Sequence, residues 1–442
     1  MAMRKVSSLA LAILVVGGVC LMHLSAGYTR AWAQEVSNFW HGWTLPVNVS
    51  QSPTDAATWP TLDVAQDGQM IYLAWSDRRE TFQDIYYTLS IDGGKSWAIS
   101  QPAVVTAESD SLRPSLVVSG TTPVIAWAEA KLGLSHATWQ WALGEDAVQV
   151  PNTRDVLSSA PCLAWGTDGD LHLALQGGLG TQPDMLYSRR EVGATGWLTA
   201  TVVFTHTASG SYNPSMVVSD DGQTVHLVWE ESVGAVESQV YYVRGQKSGQ
   251  DVLWETPLSL SQGITRSVRP DIALWSDPAA EGAEAQPSLY VVWGEQVGGF
   301  DAQYVRYTYS GDGGTHWSAP LRVDARPVSA NNVAPTYVTP ALAVGPSGAV
   351  CAAWHGFRPD GVVEAEEVYV SCSTDHGASW GTPANVSRSP GVISIRPALA
   401  IGDDGILQLA WQELAGADPK ANYQIYYAHS LPYRVLFPLV RR

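Results

Sequence analysis

Three arginines in this chain each stand directly before a proline: Arg113 in LRP, Arg269 in VRP and Arg396 in IRP. A guanidinium is a permanently charged planar fork that grips carboxylates with two hydrogen bonds. Three of them converging would clamp an anionic ligand. A second pattern supplies acids. Asp77, Glu129, Glu231, Glu295 and Glu413 each lie two residues after a Trp that closes an apolar run. Carboxyl groups of this kind can serve as acid, base or nucleophile on a glycosidic bond, and Glu231 is a candidate for such a role. They can equally pair with the arginines and stitch neighbouring units together, which perturbs charges without creating a site. Ion pairing onto Glu129, Glu295 or Glu413 is the expectation for at least two of the three arginines. Tyr212 and Tyr337 precede further prolines. Either could act as a nucleophile, as a platform for a sugar ring, or as packing. No Cys and His spacing suits a metal, and no cofactor is implied.

The elements that must position these groups come from a repeat. A proline followed by an alternating apolar run recurs as PTLDV at Pro60, PSLVV at Pro114, PCLAW at Pro161, PSMVV at Pro214, PDIAL at Pro270, PALAV at Pro340 and PALAI at Pro397. The spacing is 47 to 70 residues, and the longest interval contains an acidic, Ala-rich insertion at 277–287. Each unit reads as four strands. The proline-led run is the first. An Asp-Gly-type turn follows. The second strand is expected to end in Trp, as in IYLAW, VHLVW and LQLAW, with Leu175 replacing Trp in the third unit. The third strand is aromatic and β-branched, as in IYYTLS and QIYYAHS. The fourth opens on Trp, as in WETPLSL and WSAPLRV. Seven such units predict a seven-bladed antiparallel β-propeller.

The last unit lacks a Trp-led fourth strand, and WTLPVNVS at 43–50 is a spare one. The first strand of the mature chain is therefore expected to complete the last blade. That closure leaves no long sheet edge exposed.

Three turns between third and fourth strands share one box: SIDGGKSW (90–97), SGDGGTHW (310–317) and STDHGASW (373–380). This S-x-D-x-G-x-x-W pattern resembles the Asp-box, or bacterial neuraminidase repeat, of the sialidase-like superfamily. The resemblance covers nearly the whole mature chain and implies a propeller whose boxes lie away from the active face. Asp92, Asp312 and Asp375 are accordingly expected to be fold residues that organise their own turns. A sialidase of this kind uses an Arg triad, a Tyr–Glu pair and an acid/base Asp. The stretch WSDRRETFQD (75–84) resembles the acid/base segment and places Asp84 near that role, and WHGFRPDG (354–361) resembles it too. The first Arg of the triad is missing, since Thr58 occupies its place in TWP. Sialidases of this family also have six blades. The resemblance thus implies a glycan-binding propeller, with an exo-sialidase or other glycoside hydrolase as the alternative.

Composition narrows the partners. The chain has 442 residues and a formal net charge of −17, from 25 basic and 42 acidic residues. Phosphate-backbone binding needs a basic surface, so nucleic acid is excluded as an expected partner. Residues 1–33 carry a basic start, an apolar run at 9–22 and an Ala31-Trp32-Ala33 cleavage site, the pattern of a secretory signal rather than of a membrane span. Val19 before Cys20 departs from a lipoprotein signal. Cleavage removes Arg4, Lys5 and Arg30 and no acid, which leaves 22 basic against 42 acidic residues, a net charge of −20. The expected product is a secreted or extracytoplasmic monomer, a propeller over 34–430 with a short tail at 431–442, whose partner is an extracellular glycan or protein. Of its three cysteines, Cys351 and Cys372 fall on facing runs where a bridge is feasible. The simpler expectation is that these two and Cys162 are all small buried hydrophobes.

Overall fold

The computed structural model describes residues 42–54, 56–106, 108–131, 136–153, 159–178, 182–204, 210–234, 237–263, 266–278, 286–297, 302–323, 329–330, 338–356, 366–415 and 422–431. The signal segment, most of the tail, Tyr337 and most of the 277–287 insertion lie outside these residues, as does the second half of WHGFRPDG. Every regular element among the described residues is a β-strand.

Strand β1 is Val47–Asn48. The first set that follows is β2 (Thr58–Val64), β3 (Ile71–Asp77), β4 (Asp84–Ser90) and β5 (Gln101–Val104). The second is β6 (Ser109–Ser119), β7 (Thr122–Lys131), β8 (His136–Ala142) and β9 (Val148–Gln149). The third is β10 (Ser159–Trp165), β11 (Leu171–Gly177), β12 (Asp184–Arg190) and β13 (Thr201–Phe204). The fourth is β14 (Ser211–Val218), β15 (Thr224–Ser232), β16 (Ser238–Ser248), β17 (Asp251–Trp254) and β18 (Leu258–Ser259). The fifth is β19 (Arg266–Trp275), β20 (Ser288–Val297), β21 (Ala302–Ser310), β22 (Leu321–Arg322) and β23 (Ser329–Ala330). The sixth is β24 (Ala341–Val344), β25 (Val350–Gly356), β26 (Glu367–Ser373) and β27 (Ala384–Asn385). The last three strands are β28 (Ser394–Ile401), β29 (Leu407–Leu414) and β30 (Tyr423–His429).

Within each set, neighbours in sequence pair antiparallel, except that β17 and β18 both pair with β16, and β22 and β23 both with β21. The fourth and fifth sets share one sheet only through a single parallel pairing of Ser238 with Arg266. Strand β1 adds to the outer edge of β30, with Val47 opposite Tyr427 and Asn48 opposite Tyr426, in the order β1-β30-β29-β28. The first strand of each set packs beside that of the next, from β2 through β6, β10, β14, β19 and β24 to β28, and β28 packs on β2.

The hydrophobic core lies between sets. Leu62, Leu73 and Trp75 pack with Ala410, Ile425 and Tyr427, and Tyr290 and Val292 pack with Val350 and Trp354. Each sheet is apolar on both faces and buries both against its neighbours. The second-strand tryptophans Trp75, Trp127, Trp229, Trp293, Trp354 and Trp411 are the largest fully buried side chains. Truncating a core Trp to Ala typically costs about 3–5 kcal/mol.

Two features differ from the sequence expectation. The second strands do not stop at Trp. Strand β3 runs to Asp77, β15 to Ser232 and β29 to Leu414, so the acids after Trp lie inside strands rather than in loops. The cause is a bulge: Thr58 pairs with Ser76 and Thr61 with Ala74, so that Trp59 and Pro60 together oppose Trp75. The same two-against-one arrangement puts Arg113-Pro114 opposite Trp127, Asn213-Pro214 opposite Trp229, Arg269-Pro270 opposite Trp293 and Arg396-Pro397 opposite Trp411. A bulge spares the proline its missing ladder bond and lets pairing resume beyond it. The second difference is that Cys351 and Cys372, opposite each other in β25 and β26, form a disulfide, while Cys162 is free. Direct cross-strand opposition brings the two Cβ atoms within bonding range of one bridge.

Candidate functional site

The bulges decide where the arginines point. Residues before these prolines hold left-handed backbone angles: φ is 57° at Trp59, 50° at Arg113, 49° at Asn213, 52° at Arg269 and 54° at Arg396. Left-handed backbone at a non-glycine residue is costly and marks a side chain that the surroundings re-aim. In four of the bulges the freed amide is met by the side chain one residue past the second-strand Trp or Leu of the preceding set. Gln176 Oε1 accepts from Asn213 N at 3.1 Å, Glu230 Oε2 from Arg269 N at 3.2 Å and Gln412 Oε1 from Trp59 N at 3.2 Å. His355 Nδ1 faces Arg396 N at 3.4 Å.

The three arginines converge. The guanidinium of Arg396 lies 3.9 Å from the centre of the Trp59 ring, that of Arg113 4.5 Å and that of Arg269 5.5 Å. Cations gather on an indole face because of its negative quadrupole, each contact contributing about 0.5–1 kcal/mol or more when water is excluded. The cluster still carries like charges close together. Burial, then the charges of Arg269 and Arg113, push the Arg396 guanidinium down to about 10. Burial and then Arg269 lower Arg113. Arg396 Nη1 donates to Gln412 Oε1 at 3.1 Å and Arg269 Nη1 to Thr339 Oγ1 at 3.3 Å.

The expected sideways ion pairs are not formed. Glu129 accepts from Ser111 Oγ at 2.8 Å, from Trp127 Nε1 at 2.8 Å and from Ser109 Oγ. Glu413 accepts from Ser394 Oγ at 3.0 Å and Trp411 Nε1 at 3.0 Å. Glu295 pairs with Arg306 at 2.7 Å and Arg322 at 3.4 Å, both from its own set. Glu129 and Glu413 therefore tie their Trp indoles to the segment entering the same set, Glu295 holds two arginines of its own set, and the pre-proline arginines turn inward. Asp77 does likewise, with Ser52 Oγ at 2.6 Å and Trp75 Nε1 at 3.2 Å.

Glu231 belongs to the same scheme. It is fully buried and accepts from Ser211 Oγ at 2.6 Å and Trp229 Nε1 at 2.8 Å. Asp84 is buried and accepts from Thr106 N at 2.8 Å and Thr106 Oγ1 at 3.2 Å, and burial raises its carboxyl above the usual range. Neither lines the cavity at the arginine cluster. Tyr337, the third candidate, lies outside the described residues.

That cavity, of about 500 Å³, is lined by residues of all seven proline-led segments, among them Trp59, Arg113, Asn213, Arg269 and Thr339 at one end and Asp63 further along. Asp63 accepts from Val118 N and Val64 N at 2.8 Å each, and burial pushes its carboxyl up to about 6. Cys162 also lines the cavity, and burial pushes its thiol up to about 12, so it stays protonated and inert.

The boxes occupy the other end of the strands. Asp92 accepts from Ser96 N at 2.9 Å, Ser96 Oγ at 2.6 Å and Ser90 Oγ at 2.8 Å, and the adjacent Gly93 bonds to Gln69 in the turn after the first strand. Asp312 accepts from His316 N at 2.8 Å and Ser310 Oγ at 2.8 Å. Asp375 accepts from Ser379 N at 2.9 Å and Ser373 Oγ at 2.7 Å. The Ser96 side chain first holds Asp92 down to about 2, and the His316 amide first holds Asp312 down to about 2. One group at this end, Asp168, Asp170 and His172, has donor atoms close enough for a metal. Lys247 Nζ already bonds both carboxylates, at 2.6 Å to Asp170, and its ammonium supplies the cation there.

No family model matches the chain, and no curated protein does. Similarity is found among solved structures. A polysaccharide lyase, the PL25 ulvan lyase bound to -[GlcA(1-4)Rha3S]-, superposes with a TM-score of 0.54 at 12% identity, over 88% of this chain and 93% of that one. The NanB sialidase of Streptococcus pneumoniae reaches 0.48 at 10% identity, over 88% of this chain and 71% of that one. A leech intramolecular trans-sialidase reaches 0.49 at 10% identity, over 87% and 70%. Of these, the lyase carries the likeness of fold.

Proposed function

We propose that the protein is an exported, closed seven-bladed β-propeller over residues 34–430, following a signal segment at 1–33 and preceding a tail at 431–442, and that it binds an anionic extracellular glycan at the arginine end of its central cavity. The observation that carries this reading is the convergence of Arg113, Arg269 and Arg396 on Trp59. Like charges are brought together at a cost that a bound anion would repay. Each arginine reaches that place through left-handed backbone, a second cost concentrated at one locus. The mature chain is acidic overall, but solvent screens distant charges beyond about 8–10 Å, and the local cations dominate at the mouth. The fold it shares with the ulvan lyase supports a saccharide ligand, since that structure holds -[GlcA(1-4)Rha3S]-.

Binding is favoured over sialidase-type hydrolysis because Asp84 and Glu231 are engaged by Thr106, Ser211 and Trp229 away from the cavity. Ring closure rests on β1 pairing with β30 and on β28 packing against β2. The test is a glycan array with the mature protein, run beside a panel of fluorogenic glycosides. Uronate- or sulfate-bearing glycans should be retained, neutral ones passed, and no glycoside turned over. Retention of neutral glycans alone would overturn the anion site, and turnover would establish the hydrolase.

A further inference from the structure

Glu230 is the odd member of the staples that meet the pre-proline amides. The task needs only an acceptor, and Gln176 and Gln412 perform it with neutral amide oxygens. A carboxyl group at Glu230 is more than the staple requires. Both of its hydrogen bonds fall on Oε2, from Asn213 Nδ2 at 2.9 Å and Arg269 N at 3.2 Å. Oε1 takes none of them, and Glu230 lines a second cavity, of about 300 Å³, with Tyr212, Ser232, Glu237 and Arg266. This cavity adjoins the arginine mouth, because Asn213 and Arg269 line both. Tyr212 stands directly opposite Glu230 in the β14–β15 register, and its hydroxyl donates to Gln182 Oε1 at 3.0 Å, which holds the ring in place.

We propose that this cavity is a second subsite, which seats an uncharged, hydroxyl-rich sugar ring joined to the anionic unit at the arginine mouth, with Glu230 Oε1 bonded to a ring hydroxyl. The inference rests on the anionic-glycan reading above. Two carboxyl groups, Glu230 and Glu237, disfavour a second anionic unit here, while Arg266 and Arg269 disfavour a bare cation. A planar carboxyl, a guanidinium and a phenol ring around a small cleft suit the hydroxyls and apolar face of a pyranose. Burial, ahead of the bonds from Asn213 and Arg269, raises the Glu230 carboxyl above its ordinary range.

The test is calorimetric titration of the full mature chain and its Glu230→Gln variant with two probes, glucuronate and the disaccharide glucuronosyl-glucose. Gln keeps the staple acceptor, as Gln176 and Gln412 show, so folding is preserved. The wild type should bind the disaccharide about tenfold more tightly than glucuronate, the scale of one good hydrogen bond. Glu230→Gln should lose that advantage and keep its glucuronate affinity. Tyr212→Ala, at the cavity rim, should reproduce the loss with an unchanged Tm. Equal weakening of both probes by Glu230→Gln, or a disaccharide that gains nothing over glucuronate in the wild type, overturns the subsite alone. Failure of glucuronate to bind at all overturns the anion site and the subsite with it.

Discussion

The hydroxyl of Tyr427 fills the space that a side chain on Gly94 would need: a Cβ built there would overlap the phenol oxygen. Gly94 belongs to the first box and Tyr427 to β30, so the contact joins the first strand set to the last. The relation repeats between consecutive sets, with Gly314 against Tyr242 and Gly377 against Tyr307. All three glycines hold positive φ, of 83°, 88° and 86°. The box tryptophans pack edge-on against the same tyrosines, Trp97 on Tyr427 at 4.7 Å, Trp317 on Tyr242 at 4.9 Å and Trp380 on Tyr307 at 5.1 Å. The box is thus a socket for the neighbouring sheet, which gives its Gly and Trp one physical cause.

Gly94→Ala should therefore destabilise the protein by about 2–4 kcal/mol, from left-handed strain and overpacking together. Chemical denaturation measures this. Gly120→Ala is the control, because Gly120 has φ 58° and open space around it, and only the strain should register.

Removing residues 35–50 should lower Tm by well over the degree or two of an ordinary terminal trim. Trp43 and Val49 are buried, β1 pairs with β30, and Thr44 N donates to His429 O at 3.0 Å. A Tm within two degrees of the full mature chain would refute the role of this segment as the seventh set's outer strand.

Asp312→Ala should lower stability by about 1 kcal/mol at neutral pH and leave glycan binding unchanged, since the lost bonds are local and half-exposed. The pH dependence has a definite sign. The folded carboxyl is held down to about 2, below its unfolded value of about 3.9, so its contribution is present above that value. It is lost as pH falls from about 4 toward 2, and the gap between wild type and variant should close over that window.

Arg396→Ala should weaken binding of an anionic glycan at least about tenfold while Tm stays level or rises. Truncation removes one cation–π contact with Trp59 but relieves repulsion from Arg113 and Arg269. Arg269→Ala should behave alike in binding. A fall in Tm with binding intact would make the cluster structural.

Replacing Cys351 and Cys372 together by Ala should cost about 3 kcal/mol, the usual scale for a bridge closing a loop of some twenty residues. Thermal melts with and without reductant should show the same ordering.

The repeat was legible in the sequence because its causes are local. Alternation, Asp-Gly turns and a Trp at a fixed place in each unit are short-range necessities of four short strands. The seven proline-led runs and the spare strand at Val47–Asn48 followed from spacing, while the disposition of Asp92, Asp312 and Asp375 was what the resemblance to the Asp-box implied. What the arginines do was not legible. A residue before proline is expected in extended backbone, from which Arg113 and Arg396 would lie along their strands and reach the nearest acids. The bulge opposite Trp127 and Trp411 rotates them inward, and a bulge is a property of two strands paired in one register. Their meeting on Trp59 needs residues from the first, second, fifth and last sets, some 340 residues apart in the chain. Glu230 was passed over for Glu231 because adjacent strand residues face opposite sides, and only the packing of the next set decides which side opens on a cavity.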